Sequence, residues 1–371
     1  MMPLIVGGDS FDLVLRGGRV IDPASRMDRV ADVAIRGGKI AAIGSDLRGR
    51  EVIEAGGKIV VPGLIDLHTH LADPGLSVAD LSRIGVTAAL DGGSRGADNI
   101  DDFAAAARKS AGRVRILLNI SRIGLTKPAE LSDLENADTA LARRAIEKHR
   151  DVIVGIKARL SRSAAGEHDR QALQRALEAA RPLKIPVMSH INDTATPLVD
   201  LLRMLRRGDI VTHMYAPENG ILDASGRVLA GVIEARRRGV LFDFGNGRTA
   251  HWNWDVATKA INQGFLPDTI SSDITAPGME GQVVNLPHVM SKFLLLGLSL
   301  PDVVSRVTIG PARALSCFRD LGTLRTGARA DVSVLELKRG EVSFVDNYKT
   351  TRVGTQVLLP AGVLIAGQRI S

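Results

Sequence analysis

Histidines, a lysine and an aspartate stand at the ends of apolar runs along this chain. Leu64-Ile65-Asp66-Leu67 leads into His68-Thr69-His70, and Val152-Ile153-Val154-Gly155-Ile156 leads into Lys157. Shorter runs end in His190, in His213 and in Asp273. Imidazole, amine and carboxylate groups are the side chains that ligate divalent transition metals. In a strand, residues i and i+2 share a side, so His68 and His70 are expected to face the same way. Any one of these histidines fits an ordinary packed residue just as well. Four of the chain's eight at strand ends is what points to a metal centre. His149 and His168 fall in charged helical stretches and read as surface, and His288 opens a helix with either role available.

The elements that must carry these groups are legible as a rhythm. Between residues 62 and 322, eight strand-like apolar runs alternate with helical stretches such as 137–149 and 168–183. Eight buried parallel strands with helical crossovers over about 260 residues predict a (β/α)8 TIM barrel, whose C-terminal strand ends converge on one mouth. A doubly wound sheet is the competing architecture. It calls for a glycine-rich phosphate turn after its first strand, and none is present. Residues 1–61 and 323–371 read instead as short β-branched strands punctuated by glycine. Arg16-Gly17-Gly18-Arg19 and Arg36-Gly37-Gly38-Lys39 both read as hairpin turns. Neither end has enough apolar surface for its own core, so the two are expected to meet in one small β-sandwich domain.

Composition narrows the class. The chain has 371 residues, 45% hydrophobic and 24% charged, which excludes a disordered or collagen-like protein. No apolar stretch reaches the length that spans a bilayer, and the first fifteen residues lack the pattern of a secretion leader. The lone Cys317 excludes an internal disulfide or a cysteine zinc cluster and reads as a small buried hydrophobe. A cytoplasmic location, with no membrane association, is the expectation. The net charge of +7 favours an anionic partner. With aromatics at 3% and no basic run interleaved with them, the expected partner is a small anionic substrate and not nucleic acid. Arg236-Arg237-Arg238 reads as a solvated helix face.

Val61-Pro62-Gly63-Leu64-Ile65-Asp66-Leu67-His68-Thr69-His70, the preceding Arg36–Gly44 hairpin and the 321–337 segment resemble the amidohydrolase superfamily over nearly the whole chain. The likeness is to its binuclear branch, and within that to dihydroorotase-like deacetylases, through segments such as 155–161, 189–193, 212–229 and 271–275. The resemblance implies two divalent ions, zinc being the expected metal. His68, His70 and Asp273 would hold the more buried ion, and His190 and His213 the more exposed one. Lys157 would carry a carbamate formed with carbon dioxide and bridge the two. An ammonium cannot ligate a cation, whereas a carbamate is an anionic oxygen ligand. The resemblance also implies a shared hydroxide that attacks an amide or ester carbonyl, with Asp273 shuttling the proton to the leaving group.

Dihydroorotases carry an arginine two residues after the HxH pair, where it grips the substrate carboxylate. Here Ala72 stands at that position, before Asp73-Pro74-Gly75. Losing a desolvated bidentate contact argues against dihydroorotate as substrate. The expected substrate is an N-acetyl amino acid or an O-acetyl α-hydroxy acid. Its carboxylate needs another cation, with Arg159 first and Arg122 and Arg248 in reserve. Asn246 departs from the glycine-histidine-glycine of the deacetylase relatives. With His251, Trp252 and Trp254 it marks a mouth loop that lines a substrate pocket or simply packs. Tyr215 is a candidate to polarise the carbonyl. Ring opening of a cyclic amide is the second reading and a non-catalytic scaffold the third, although scaffolds of this fold lose metal ligands and all six are present. A homo-oligomer is expected from the fold alone.

Overall fold

The computed structural model describes residues 10–72, 78–275 and 285–370; Asp73-Pro74-Gly75 lies outside them. In chain order the strands are β1 (Phe11–Asp22), β2 (Met27–Arg36), β3 (Lys39–Gly44), β4 (Gly49–Glu54) and β5 (Ile59–Pro62). Then follow β6 (Leu64–Thr69), β7 (Val86–Asp91), β8 (Arg113–Asn119), β9 (Ile153–Arg159), β10 (Val187–His190), β11 (Ile210–Thr212) and β12 (Leu241–Phe242). The last three are β13 (Val332–Val345), β14 (Thr351–Ile365) and β15 (Gln368–Arg369).

The two chain ends meet, as their patterning requires. β1–β5 and β13–β15 join one connected sheet, in which Val60 of β5 pairs with Val20 of β1 on one side and Val334 of β13 on the other. Leu13, Leu15, Val33, Ile35, Leu324, Val332 and Leu364 form its core. Only one of the two glycine pairs is a turn. Gly37 and Gly38 both take positive φ between β2 and β3. Gly17-Gly18 instead forms a bulge inside the continuous strand β1, where the ladder with β2 slips between Leu15 and Gly18. A Cβ on Gly18 would lie 2.6 Å from Val60, so glycine there allows close packing of β5.

β6 to β12 run parallel in sequence order, and every residue of β6 and β7 is buried, as strands covered on both faces must be. Residues 269–274 close the ring with bridges from Thr269 to Asp243 and from Ile274 to Thr69. This is the expected (β/α)8 barrel, its eighth strand reduced to those bridges. Ile65, Leu67, Leu90, Leu117, Met188 and Ile210 fill the interior, sealed by Leu315, Phe318 and Leu321. Among the helices, Thr139–Lys148 is capped by Asp138, which accepts from Ala140 N and Leu141 N. Among the described residues, no helix is long and apolar enough to cross a membrane.

Two surface readings and one burial reading are corrected. His149 is buried between Asp101 (2.6 Å) and Arg108 (3.0 Å), both on the helix Asp101–Lys109. Arg236 is not simply solvated. Its guanidinium lies 3.7 Å from the Phe265 ring centre and donates to Leu266 O. Cys317 is half-buried, and burial pushes its thiol up to about 11, which leaves it unreactive.

Candidate metal centre

Six strand-end residues converge at the barrel mouth. Alternation alone does not bring His68 there, since Ile65 and Leu67 already point into the interior. The ladder between β6 and β7 slips between Asp66 and Thr69, and this bulge swings His68 inward as well. His70 follows just past the strand end. His213 and Asp273 sit in the left-handed region, with φ of 63° and 50°. Non-glycine residues rarely adopt that backbone, and here it turns both side chains into the mouth.

The result is a tight set. His68 Nε2 lies 3.4 Å from Asp273 Oδ1, His70 Nε2 3.0 Å from the same oxygen, and His213 Nε2 3.9 Å from Oδ2. Lys157 Nζ is 2.7 Å from His68 Nε2. The His190 ring sits 4.2 Å from that of His213. All six residues are buried.

Hydrogen bonds behind the rings fix where their lone pairs point. Thr212 Oγ1 donates to Asp243 (2.8 Å) and so accepts from His68 Nδ1 (3.1 Å). Ser94 Oγ donates to Asp91 (2.8 Å) and accepts from His70 Nδ1 (2.9 Å). His213 Nδ1 donates to Gly245 O (2.8 Å). In each case the proton is held at Nδ1 and the Nε2 lone pair faces inward. His213 Nε2 is buried with no hydrogen-bond partner among the described residues. Burial pushes His68, His190 and His213 well below the ordinary histidine range, so the rings are neutral. Neutral nitrogen lone pairs aimed at a carboxylate repel one another in the absence of a cation. This donor set fits a divalent metal.

His251 joins the set. Its Nδ1 is 3.1 Å from Asp273 Oδ2 and its ring stacks on His213 at 4.0 Å. Donor atoms of His190, His213 and His251 lie within 4.8 Å of one another, as do those of His68, His213 and Asp273. Gly247 makes this possible, because at its φ of 55° a Cβ would lie 1.6 Å from His251 Nδ1. Asn347, at the tip of the β13–β14 hairpin, accepts from His251 N (2.9 Å) and donates to Gly247 O (3.2 Å). The end domain thus holds the loop that carries His251. Sequence reasoning missed Asn347, which lies 96 residues away. It also missed Thr212 and Asp243, although a buried acid ending an apolar run was a visible signal.

Other candidates are displaced. Tyr215 is fully buried, donates to Phe265 O (3.0 Å) and packs on Phe244, so it cannot reach a carbonyl in the mouth. Trp252 and Trp254 are buried against each other, and Trp254 Nε1 donates to Thr350 O (3.0 Å). They pack and do not line a pocket. Asn246 is buried and accepts from Lys292 Nζ (2.8 Å). Arg122 is paired with Asp98. Arg159 and Arg248 do line the mouth cavity of about 390 Å³, together with His70, Lys157, His190, His251 and Asp273.

Burial pushes Lys292 down to about 7, whereas a lysine in the unfolded chain titrates near 10.4. Between those values the unfolded chain binds more protons, so this residue makes stability rise with pH. Lys292→Met is expected to flatten the rise by up to about 1.4 kcal/mol per pH unit, measured by denaturant unfolding at pH 7 and pH 9. Equal slopes in both proteins would show that Lys292 is charged when folded.

Comparison with known proteins places this geometry. The model of the amidohydrolase family matches residues 59–370. The chain belongs to the amidohydrolase family. This amidohydrolase is 32% identical to a deacetylase of Enterococcus faecalis, over 96% of its own length and 98% of the relative's. A solved structure described as an adenine deaminase superposes with a TM-score of 0.88 at 31% identity, covering 97% of this chain and 99% of that one. Another, of a dihydroorotase, gives 0.87 at 26% identity, with 97% and 98% covered. The family makes the chain a metal-dependent hydrolase acting on C–N bonds. The three relatives' names differ in substrate.

Proposed function

We propose that this amidohydrolase removes an acyl group from a small carboxylate-bearing compound, an N-acetyl amino acid or an O-acetyl α-hydroxy acid. The observation that carries this reading is a cationic wall beside the metal-ligand set. Arg248 lines the mouth cavity, is exposed, and has no hydrogen bond or ion pair among the described residues. Arg159 lines it too, but shares its charge with buried Glu130 at 3.3 Å. The expected ranking therefore reverses: Arg248 is the free cation for the carboxylate, and Arg159, held from behind by Glu130, is a fixed second donor.

His68, His70 and Asp273 would hold one divalent ion and His190 and His213 a second, zinc being the expected metal. Bound there, such ions would polarise a carbonyl and acidify water. Lys157 suits a bridging role once carboxylated. Burial brings its amine down to about 8, so an uncharged fraction exists near neutrality to add to carbon dioxide, losing one proton and leaving an N-carboxylate. Asp273 touches His68, His70 and His251 while facing the cavity, and would take the proton of the attacking water and pass it to the leaving group. The arginines orient the substrate through its carboxylate.

The test is acid release by zinc-loaded, bicarbonate-treated protein. The panel holds N-acetyl-D- and L-amino acids, O-acetyl α-hydroxy acids, dihydroorotate and hydantoins. Turnover of open-chain acyl compounds is expected. Turnover confined to cyclic compounds would overturn the deacylase reading in favour of ring opening. Arg248→Met is expected to raise KM for the best substrate about tenfold or more with a smaller change in kcat. An unchanged KM would remove Arg248 from the carboxylate site.

A further inference from the structure

A basic cleft lies at the other end of the barrel, under the strand starts. It measures about 720 Å³ and is framed by the segments that precede β10 and β11 and by the chain around residues 309–319. Five cations line it, Lys184, Arg206, Arg207, Arg313 and Arg319, against one acid, Asp209. That excess of four is more than half of the chain's net charge of +7.

Arg206 is paired with Asp209 at 2.8 Å. The other four cations are exposed and have no ion pair among the described residues. Gathering unneutralised like charge around one concavity raises the free energy of the folded state by self-repulsion. It also focuses the field on the cleft and concentrates anions there. No aromatic side chain lines the cleft, so it offers no platform for stacking a base.

We propose that this cleft is a second site, separate from the metal centre, for a small phosphorylated anion recognised through its phosphate groups. Guanidinium groups suit phosphate because their paired N–H groups match its oxygens. The volume is that of a small-molecule site and not of a polymer groove.

The test is calorimetric titration of the metal-loaded protein with pyrophosphate and with adenosine triphosphate at about 50 mM salt, repeated near 500 mM, where screening is strong. Saturable binding that weakens with salt is expected, with the two ligands within about threefold of each other because only phosphate is read. Arg207→Gln with Arg313→Gln should weaken it on the order of tenfold to a hundredfold while acid release from the best panel substrate stays unchanged. Arg319→Gln alone should give a smaller loss in the same direction. Asp273→Asn should bind pyrophosphate like the parent, which separates this cleft from the metal centre. Parent-like binding by the double variant, loss of binding in Asp273→Asn, or no heat at about 5 mM pyrophosphate would each overturn the proposal. So would a nucleotide preference far beyond threefold, or retention on heparin without pyrophosphate binding.

Discussion

Lys157→Ala is expected to lose metal and hydrolysis together, with activity falling on the order of a thousandfold or more. The physical reason lies in the donor count around one buried point. Lys157 Nζ sits 2.7 Å from the inward-facing Nε2 of His68. Gly93, at the end of β7, packs so close that a Cβ there would lie 2.4 Å from the Lys157 Cβ. Removing the lysine takes away the amine lining the mouth that carbon dioxide can convert into a further anionic ligand, and leaves the histidine rings to share one carboxylate. Metal content by elemental analysis and acid release on the panel check this directly. A carbonyl resonance from isotope-labelled bicarbonate should appear in the parent and be absent from Lys157→Ala. A fully metallated, active variant would overturn the role.

Gly247→Ala is expected to have the second-largest effect. At φ 55° an L side chain is strained by roughly 1–2 kcal/mol, and its Cβ would overlap His251 Nδ1 at 1.6 Å and crowd Asp273 Oδ2 at 2.7 Å. The His251 ring must leave, and with it the stacking on His213 and the contact with Asp273. If His251 touches the reacting groups, activity falls on the order of a hundredfold. His251→Ala should then cost about as much alone, and adding Gly247→Ala to it should cost little further activity, since the two changes remove the same interaction. Additive losses in that cycle would show that Gly247 acts on Asp273 directly. Asn347→Ala belongs to the same series with a milder loss, and Asn347→Asp should recover most of it by keeping the oxygen that accepts from His251 N and Trp252 N.

Much of this was readable in advance because it depends on short-range rules. Apolar runs of strand length ending in histidine, lysine or aspartate place those groups at strand ends whatever the details of packing. The count of such runs selects a barrel, and a barrel brings its strand ends to one mouth. The pairing of the chain ends followed equally from apolar strands that lacked a partner nearby. The six proposed ligands and the barrel were therefore determined by the sequence itself.

What tertiary structure decided were the matters that depend on two distant segments meeting. Whether Gly17-Gly18 turns or bulges depends on β5 packing so close that a Cβ on Gly18 would lie 2.6 Å from Val60, which local sequence does not report. Tyr215, Trp252 and Trp254 carried polar tips that suggested the mouth, yet Phe244, Phe265 and Thr350 give them buried partners. The proposed order of Arg159 and Arg248 as carboxylate partners rests on Glu130, which lies in a loop that folds back onto β9 to pair with Arg159. His251 reached Asp273 because Asn347, on a hairpin from the other end of the chain, holds its loop. Side-chain type and spacing set which chemistry is available. Which groups are spent on packing, and which remain free to meet a substrate, is settled by contacts between residues far apart in the chain, whose energies no local pattern encodes.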